Sequence, residues 1–232
     1  MRTITPTTRQ DIRTRTSQAT CWLASGPGVP PDEARDVLDH EELLRAAAFT
    51  TTSARERFVN AHVVLRRVLS EVTGRDPAAL RMTRDRCPRC LGPHGRPRLA
   101  GVGMPEFSLS YSGSVVAVAV SVDPVGVDVE RLPDGPTVHA VACLLDPREA
   151  GELAAFADPD ERRRRFARLW VMKEAYLKAT GTGITDGVAQ PYFGTSIGTR
   201  CTSGWLLAPL DAPAGYAAAV AVRSGDVGEV EE

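Results

Sequence analysis

The chain has 232 residues, 43% of them hydrophobic and 25% charged, with a formal net charge of −1. That balance is ordinary for a globular protein with a real core and excludes an intrinsically disordered chain. It gives no basic field for nucleic acid, and no run nears the 18 apolar residues of a membrane span, so neither partner is expected.

Met1 to Thr20 is rich in Thr and Arg, with Asp11 its one acid. It lacks the apolar stretch of a secretory signal and is expected to be a disordered tail. Thr20 to Ser25 reads as a short strand closed by Gly26-Pro27-Gly28. A helical segment after Pro31 follows, with Leu38, Leu43, Leu44 and Phe49 apolar. Ser53-Ala54-Arg55-Glu56 has the form of a capping box. It would open a helix striped by Phe58, Ala61, Leu65, Val68, Leu69 and Val72 and stopped by Gly74. Residues 83–98 form a Pro/Cys/Arg loop, and Phe107 to Ser112, Val115 to Val122 and Val125 to Arg131 read as successive strands.

The second half follows a similar plan. Asp146-Pro147-Arg148-Glu149 combines a cap, a proline at the first helical position and a capping-box acid. Asp158-Pro159-Asp160-Glu161 starts a long helix that runs to Thr180 and stops at Gly181. Strands at Trp205 to Leu207 and Tyr216 to Val222 complete the pattern, before an acidic end expected to fray.

The halves resemble each other. Arg57-Phe58, His62 to Val64, Leu69 and Thr73-Gly74 parallel Arg165-Phe166, Trp170 to Met172, Leu177 and Thr180-Gly181. Gly113 to Val120 parallels Gly215 to Val222. The offset is about 100 residues, the size of a domain, which favours a tandem duplication of an α+β unit. The expected division is residues 1–121 and 122–232, with roughly the first 19 residues disordered. In this register Leu65 and Arg66 stand where Lys173 and Glu174 stand, so only the second copy carries an acid–base set.

Of the 28 Lys and Arg residues only two are lysine, Lys173 and Lys178. Both fall in Trp170-Val171-Met172-Lys173-Glu174-Ala175-Tyr176-Leu177-Lys178. A chain that uses arginine wherever charge suffices keeps lysine where a compact, titratable ammonium matters; an incidental i,i+4 surface pair is the plain alternative. In Val125-Gly126-Val127-Asp128-Val129-Glu130, the alternation puts Asp128 and Glu130 on one strand face. Adjacent carboxylates repel unless a cation lies between them, and such hard oxygen ligands suit Mg²⁺, with Mn²⁺ as a substitute. Gly126 would leave that face open to a ligand. With Glu174 the set becomes three carboxylates beside two lysines, the groups used in phosphate chemistry.

These residues resemble the surfactin-synthetase-type 4′-phosphopantetheinyl transferases. Gly126-Val127-Asp128-Val129-Glu130 and Trp170-x-x-Lys173-Glu174-Ala175-x-x-Lys178 match that family's two signatures. Phe107 to Gly113 and Gly95-Arg96-Pro97 resemble two shorter ones, and the likeness runs from about Trp22 to Val222. The resemblance implies an α+β fold of two pseudo-twofold halves with the active site between them. It implies transfer of phosphopantetheine from coenzyme A to a serine of an apo acyl or peptidyl carrier protein, with Mg²⁺, releasing adenosine 3′,5′-bisphosphate. Asp128, Glu130 and Glu174 would hold the metal, Glu174 would take the serine proton, and Lys178 would stabilise the departing phosphate. Coenzyme A would contact Arg45, Arg57, Arg96, Ser110, Tyr111, Asp128, Lys173 and Lys178. A monomer in the cytoplasm, serving fatty-acid, polyketide or nonribosomal-peptide synthesis, is the implied setting. The odd, scattered set of five cysteines fits a reducing compartment.

Tyr111 stands where the family has a histidine that contacts the 3′-phosphate of coenzyme A. A phenol offers a hydrogen bond but no positive charge, so weaker coenzyme A binding, or compensation by Arg45 or Arg57, is expected. Cys87, Cys90 and His94 supply three zinc-type ligands without a clear fourth and read as a surface loop. Arg162 to Arg165 read as a solvated face, His62 and His139 as core-edge residues, Trp170 as a packing anchor and Cys143 as buried. The alternatives are a non-catalytic relative that binds carrier proteins and a metal nuclease, the latter disfavoured by the net charge.

Overall fold

The computed structural model describes residues 6–87, 90–93, 95–183, 187–196, 198–202 and 204–224. It is a mixed α+β fold whose strands fall into two antiparallel four-stranded sheets and a two-stranded ribbon. The first sheet is built from β1 (Pro6–Arg13), β2 (Gln18–Ser25), β5 (Glu106–Ser112) and β6 (Val115–Ser121), in the order β1-β2-β6-β5. The second is built from β7 (Val125–Arg131), β8 (Arg200–Thr202), β9 (Trp205–Leu210) and β10 (Tyr216–Arg223), in the order β7-β10-β9-β8. The ribbon pairs β3 (Met82–Arg84) with β4 (Pro97–Leu99).

Both sheets are apolar on both faces, and alternation along each strand divides the work. In the first sheet Trp22, Ala24, Phe107, Val116, Val118 and Val120 pack against the long helix α3 (Thr52–Thr73). In the second, Ala217, Ala219 and Ala221 pack against its counterpart α6 (Pro159–Thr180). The opposite faces meet each other: Cys21, Leu23, Ala117 and Ala119 join Val125, Val127, Val129 and Val220 in one buried cluster. The layers are therefore helix, sheet, sheet, helix. The sheets also meet edge to edge, where hydroxyls of β5 bond to β7.

Each long helix has 22 residues and stops at a left-handed glycine, Gly74 at φ 68° and Gly181 at φ 77°. Each holds one fully buried cation at its fifteenth residue, Arg66 in α3 and Lys173 in α6. Each cation is gripped by the capping-box glutamate of a short helix. Glu42 of α2 (His40–Ala47) accepts from Arg66 Nε at 2.5 Å. Glu149 of α5 (Pro147–Ala155) lies 2.8 Å from Lys173 Nζ. Arg66 also donates to the carbonyls of Pro77 and Leu80, and Lys173 to those of Ala189 and Pro191. Arg66 thus occupies the place of Lys173, one residue from the sequence register, and Arg67 that of Glu174.

Several other expectations change. Residues 6–13, read as part of a tail, form an edge strand because they pair with β2 over its whole length. The segment after Pro31 is two helices, α1 (Pro31–Val37) and α2, because Leu38 is extended and Asp39 begins a capping box with Glu42. The cap of α3 is Thr51, whose side chain accepts from Ala54 N–H, and not Ser53. The 83–98 loop carries the β3–β4 ribbon. Cys143 is exposed, in a 3₁₀ turn after α4 (Gly135–Val141), and His139 of α4 is exposed as well. His94 and the acidic end lie outside the described residues. No helix among the described residues is long and apolar enough to cross a membrane.

Candidate active site

Asp128 and Glu130 sit on the face of β7 that turns towards α6, with the small residues Ala219 and Ala217 opposite them on β10. Gly126 begins the same face. A Cβ there would lie 2.0 Å from Ala175 O and 2.5 Å from Ala179 N, both in α6. The glycine therefore admits the helix and not a ligand, which corrects the sequence reading. The close approach brings Glu174 and Lys178, one turn apart on α6, over the two strand carboxylates.

Lys178 Nζ donates to Asp128 Oδ1 at 2.6 Å, and Ser110 Oγ donates to the same oxygen at 2.8 Å. Asp128 Oδ2 is buried and has no hydrogen-bond partner among the described residues. Glu130 accepts from Ser112 Oγ at 2.7 Å. Burial first, then the charge of Asp128 and, more weakly, that of Glu130, raise the Glu174 carboxyl to about 7 against the pull of Lys178. Burial raises Glu130 too, opposed first by the Ser112 hydrogen bond. Three carboxylates thus share a poorly solvated corner with one ammonium.

Mg²⁺ is the group this corner suits. The orphaned Asp128 oxygen and the mutual repulsion of Glu174, Asp128 and Glu130 are what a divalent cation would relieve. Among the described residues no three His, Cys, Asp or Glu side chains already form a ring that would hold an ion alone. A divalent cation here would take one or two of the carboxylates and complete its shell with water and phosphate, as Mg²⁺ commonly does.

Lys178 also faces a cleft of about 630 Å³. The first half contributes Arg45, His62, Arg84 and Phe107 to its wall, and the second half contributes Leu177, Lys178 and Gly181. Arg45 lies over the Phe58 ring at 5.3 Å. Arg96 lines the cleft but donates to Ala179 O at 3.0 Å, at the carbonyl end of α6. His62, read as a core-edge residue, stacks on Phe58 at 4.0 Å and pairs with Glu42 at 2.8 Å. Arg84 and the His62–Glu42 pair are cleft residues that no motif in the sequence marks.

Other expected contacts lie elsewhere. Lys173 is 1% exposed, and its three donors are taken by Glu149 and two backbone carbonyls, so none remains for a nucleotide. Arg57 is exposed, bonds Ser53 at 2.6 Å and does not line the cleft. Ser110 is buried against Asp128 and not in the cleft wall. Tyr111 is on the same strand face as Leu109, which lines the cleft, and is 36% exposed beyond it. Trp170 stacks on Phe166 at 5.8 Å, as a packing residue should.

Residues 124–221 match the model of the 4′-phosphopantetheinyl transferase superfamily. The Synechocystis sp. protein slr0495, provisionally named a 4′-phosphopantetheinyl transferase, is 28% identical over 92% of this chain and 91% of its own length. The 4′-phosphopantetheinyl transferase HetI of Nostoc sp. is 33% identical over 63% of this chain and 61% of its own. The 4′-phosphopantetheinyl transferase Sfp of Bacillus subtilis is 27% identical over 64% of this chain and 67% of its own. Both signatures lie inside the matched region and converge at the join between β7 and α6, so residues 124–221 are similar to the 4′-phosphopantetheinyl transferase superfamily, and the relatives support that class of enzyme.

Proposed function

We propose that this enzyme moves the 4′-phosphopantetheine group of coenzyme A onto a serine of an apo acyl or peptidyl carrier protein, with Mg²⁺, and releases adenosine 3′,5′-bisphosphate. The observation that carries the reading is Lys178, which bridges the carboxylate corner and the cleft. Arg45, Arg84 and Arg96 of the cleft wall suit the phosphates of coenzyme A and Phe107 its apolar parts, while Asp39 and Glu42, two of the three acids in that wall, are paired with Arg66.

Asp128 and Glu130, with Glu174, would hold the metal. Bound there with the pyrophosphate, Mg²⁺ supplies Lewis-acid neutralisation of its oxygens. The serine oxygen attacks the phosphorus that carries the pantetheine arm. A serine O–P bond forms, the P–O bond to the nucleotide breaks, and the serine proton passes to Glu174. Its carboxyl lies near 7 only without the metal, and a bound cation would lower it, so Glu174 serves as the base where it is held loosely to the metal. Lys178 turns from Asp128 to the departing phosphate and balances its charge.

The two-half organisation belongs to the same proposal. Strand, long helix and hairpin recur in order, with sheet orders β2-β6-β5 and β7-β10-β9, and the matching Arg66 and Lys173 anchors support a tandem duplication. Halves of 1–121 and 122–232 would then form the cleft within one chain, so that a monomer suffices. The cysteine usage supports a cytoplasmic setting.

The test is mass spectrometry of apo carrier proteins from fatty-acid, polyketide and nonribosomal-peptide systems, incubated with coenzyme A and Mg²⁺. A gain of one phosphopantetheine that requires Glu174 and is lost with chelator is expected. No gain on any carrier would refute the reading.

A further inference from the structure

β5 carries serine at every second position, Ser108, Ser110 and Ser112, so its seam face is a row of hydroxyls. Each meets β7 at a matching step. Ser108 Oγ accepts from Val127 N–H at 3.0 Å. Ser110 Oγ donates to Asp128 Oδ1 at 2.8 Å. Ser112 Oγ accepts from Arg131 N–H at 3.2 Å and donates to Glu130 Oε2 at 2.7 Å. A hydroxyl has one proton, so the bond from Arg131 leaves Ser112 pointing that proton at Glu130.

The effect on Asp128 is asymmetric. Ser110 and Lys178 both donate to Oδ1, while Oδ2 is buried with no partner among the described residues. The terminal torsion of an aspartate is soft, so an unheld carboxylate would rotate to share its donors between both oxygens. Two donors from different elements oppose that rotation. We propose that Ser110 and Ser112 are positioning residues, which clamp one oxygen of Asp128 and one of Glu130 and leave the second oxygen of each for a divalent cation. This rests on the metal reading of the proposed function. Ser108 Oγ bonds backbone and touches neither carboxylate.

The experiment measures Mn²⁺ binding to the full chain with coenzyme A present, by the electron paramagnetic resonance of free Mn²⁺, with melting temperatures in parallel. S110A and S112A are each expected to weaken Mn²⁺ binding by about tenfold or more, the usual effect of losing a ligand's hydrogen-bond partner. S112T, which keeps the hydroxyl, restores binding. S108A lowers the melting temperature and leaves Mn²⁺ affinity unchanged. If D128N abolishes binding while S110A and S112A stay within about twofold of the parent, the positioning role is wrong and the metal site stands. If the parent binds no Mn²⁺, both fall. Should S110A fail to fold, the S112A and S112T pair decides.

Discussion

Lys173 Nζ lies 2.8 Å from Glu149 Oε2, with the two side chains 1% and 0% exposed. A buried ion pair is costly to half-remove, because the survivor keeps its charge without a partner. Lys173 also closes two carbonyls of the 189–191 segment and lies over Phe193, so it ties α6 to both α5 and that segment. Burial lowers its pKa and the Glu149 hydrogen bond opposes the fall. K173A should therefore destabilise the protein by about 3–5 kcal/mol. The double variant K173M/E149Q, which removes both charges but keeps an acceptor for the buried N–H groups of Phe193 and Gly194, should recover much of the loss. The Michaelis constant for coenzyme A should not change in whatever fraction folds. A raised constant at unaltered stability would return Lys173 to the nucleotide.

That pair also marks the limit of what the sequence made legible. The two signatures located the carboxylates, because Asp128 and Glu130 alternate on a strand and α6 has clear boundary residues. Facing was harder. Consecutive residues of a helix point about 100° apart, so Lys173 could not share the side of Glu174 and Lys178, which are one turn apart. That geometry was available from spacing alone. The partner of Lys173 was not, since Glu149 is brought to it only by the packing of α5. The same holds for Glu42, His62 and Arg66, 20 and 24 residues apart and joined by the fold. The Asp39–Glu42 capping box was readable and would have divided the segment after Pro31 in two.

Glu174 gives the protein a pH dependence with a definite sign. Its carboxyl rises from an ordinary 4.5 to about 7, so the folded state holds a proton that the unfolded state has released. Stability from this group is present below about 4.5 and is lost as pH rises through 7. In metal-free protein E174Q should be more stable than the parent near pH 8, by up to about 3 kcal/mol, and no more stable near pH 4. Urea unfolding with chelator at both pH values reads this directly. The same variant should lose transfer activity by about 10²-fold or more, the contribution of a positioned general base. Equal stability at both pH values would mean that the carboxyl is not held in a poorly solvated corner.

Tyr111 shares a face of β5 with Leu109, which lines the cleft, and itself lies outside the cleft wall, partly exposed. Histidine there can carry positive charge and donate to a phosphate, whereas the phenol offers only a neutral hydrogen bond. Y111H should lower the Michaelis constant for coenzyme A several-fold, with little change in turnover. The gain should vanish with dephospho-coenzyme A, which lacks the 3′-phosphate. Steady-state kinetics with both substrates distinguishes this from a general change in packing, which would alter the two constants alike.

Gly126 sets the distance between β7 and α6, and so the distance between Asp128 and Lys178. A methyl group at this position would overlap Ala175 O and Ala179 N, and both are backbone atoms that cannot swing aside. Relief requires α6 to lift from the strand, which opens a helix–sheet core containing Ala175, Ala179, Ala219 and Ala221. G126A should therefore cost about 3 kcal/mol or more, at or beyond the upper end of ordinary overpacking. Lifting the helix would also lengthen the 2.6 Å contact of Lys178 with Asp128. The surviving folded fraction should then transfer more slowly as well as melt earlier. By contrast, G135A should be silent in both measurements, because nothing lies within 4 Å of the methyl group it would add. Thermal melts and single-turnover rates on the two variants make the comparison, and a G126A protein with parental stability would show that α6 does not rest on β7 as closely as these contacts require.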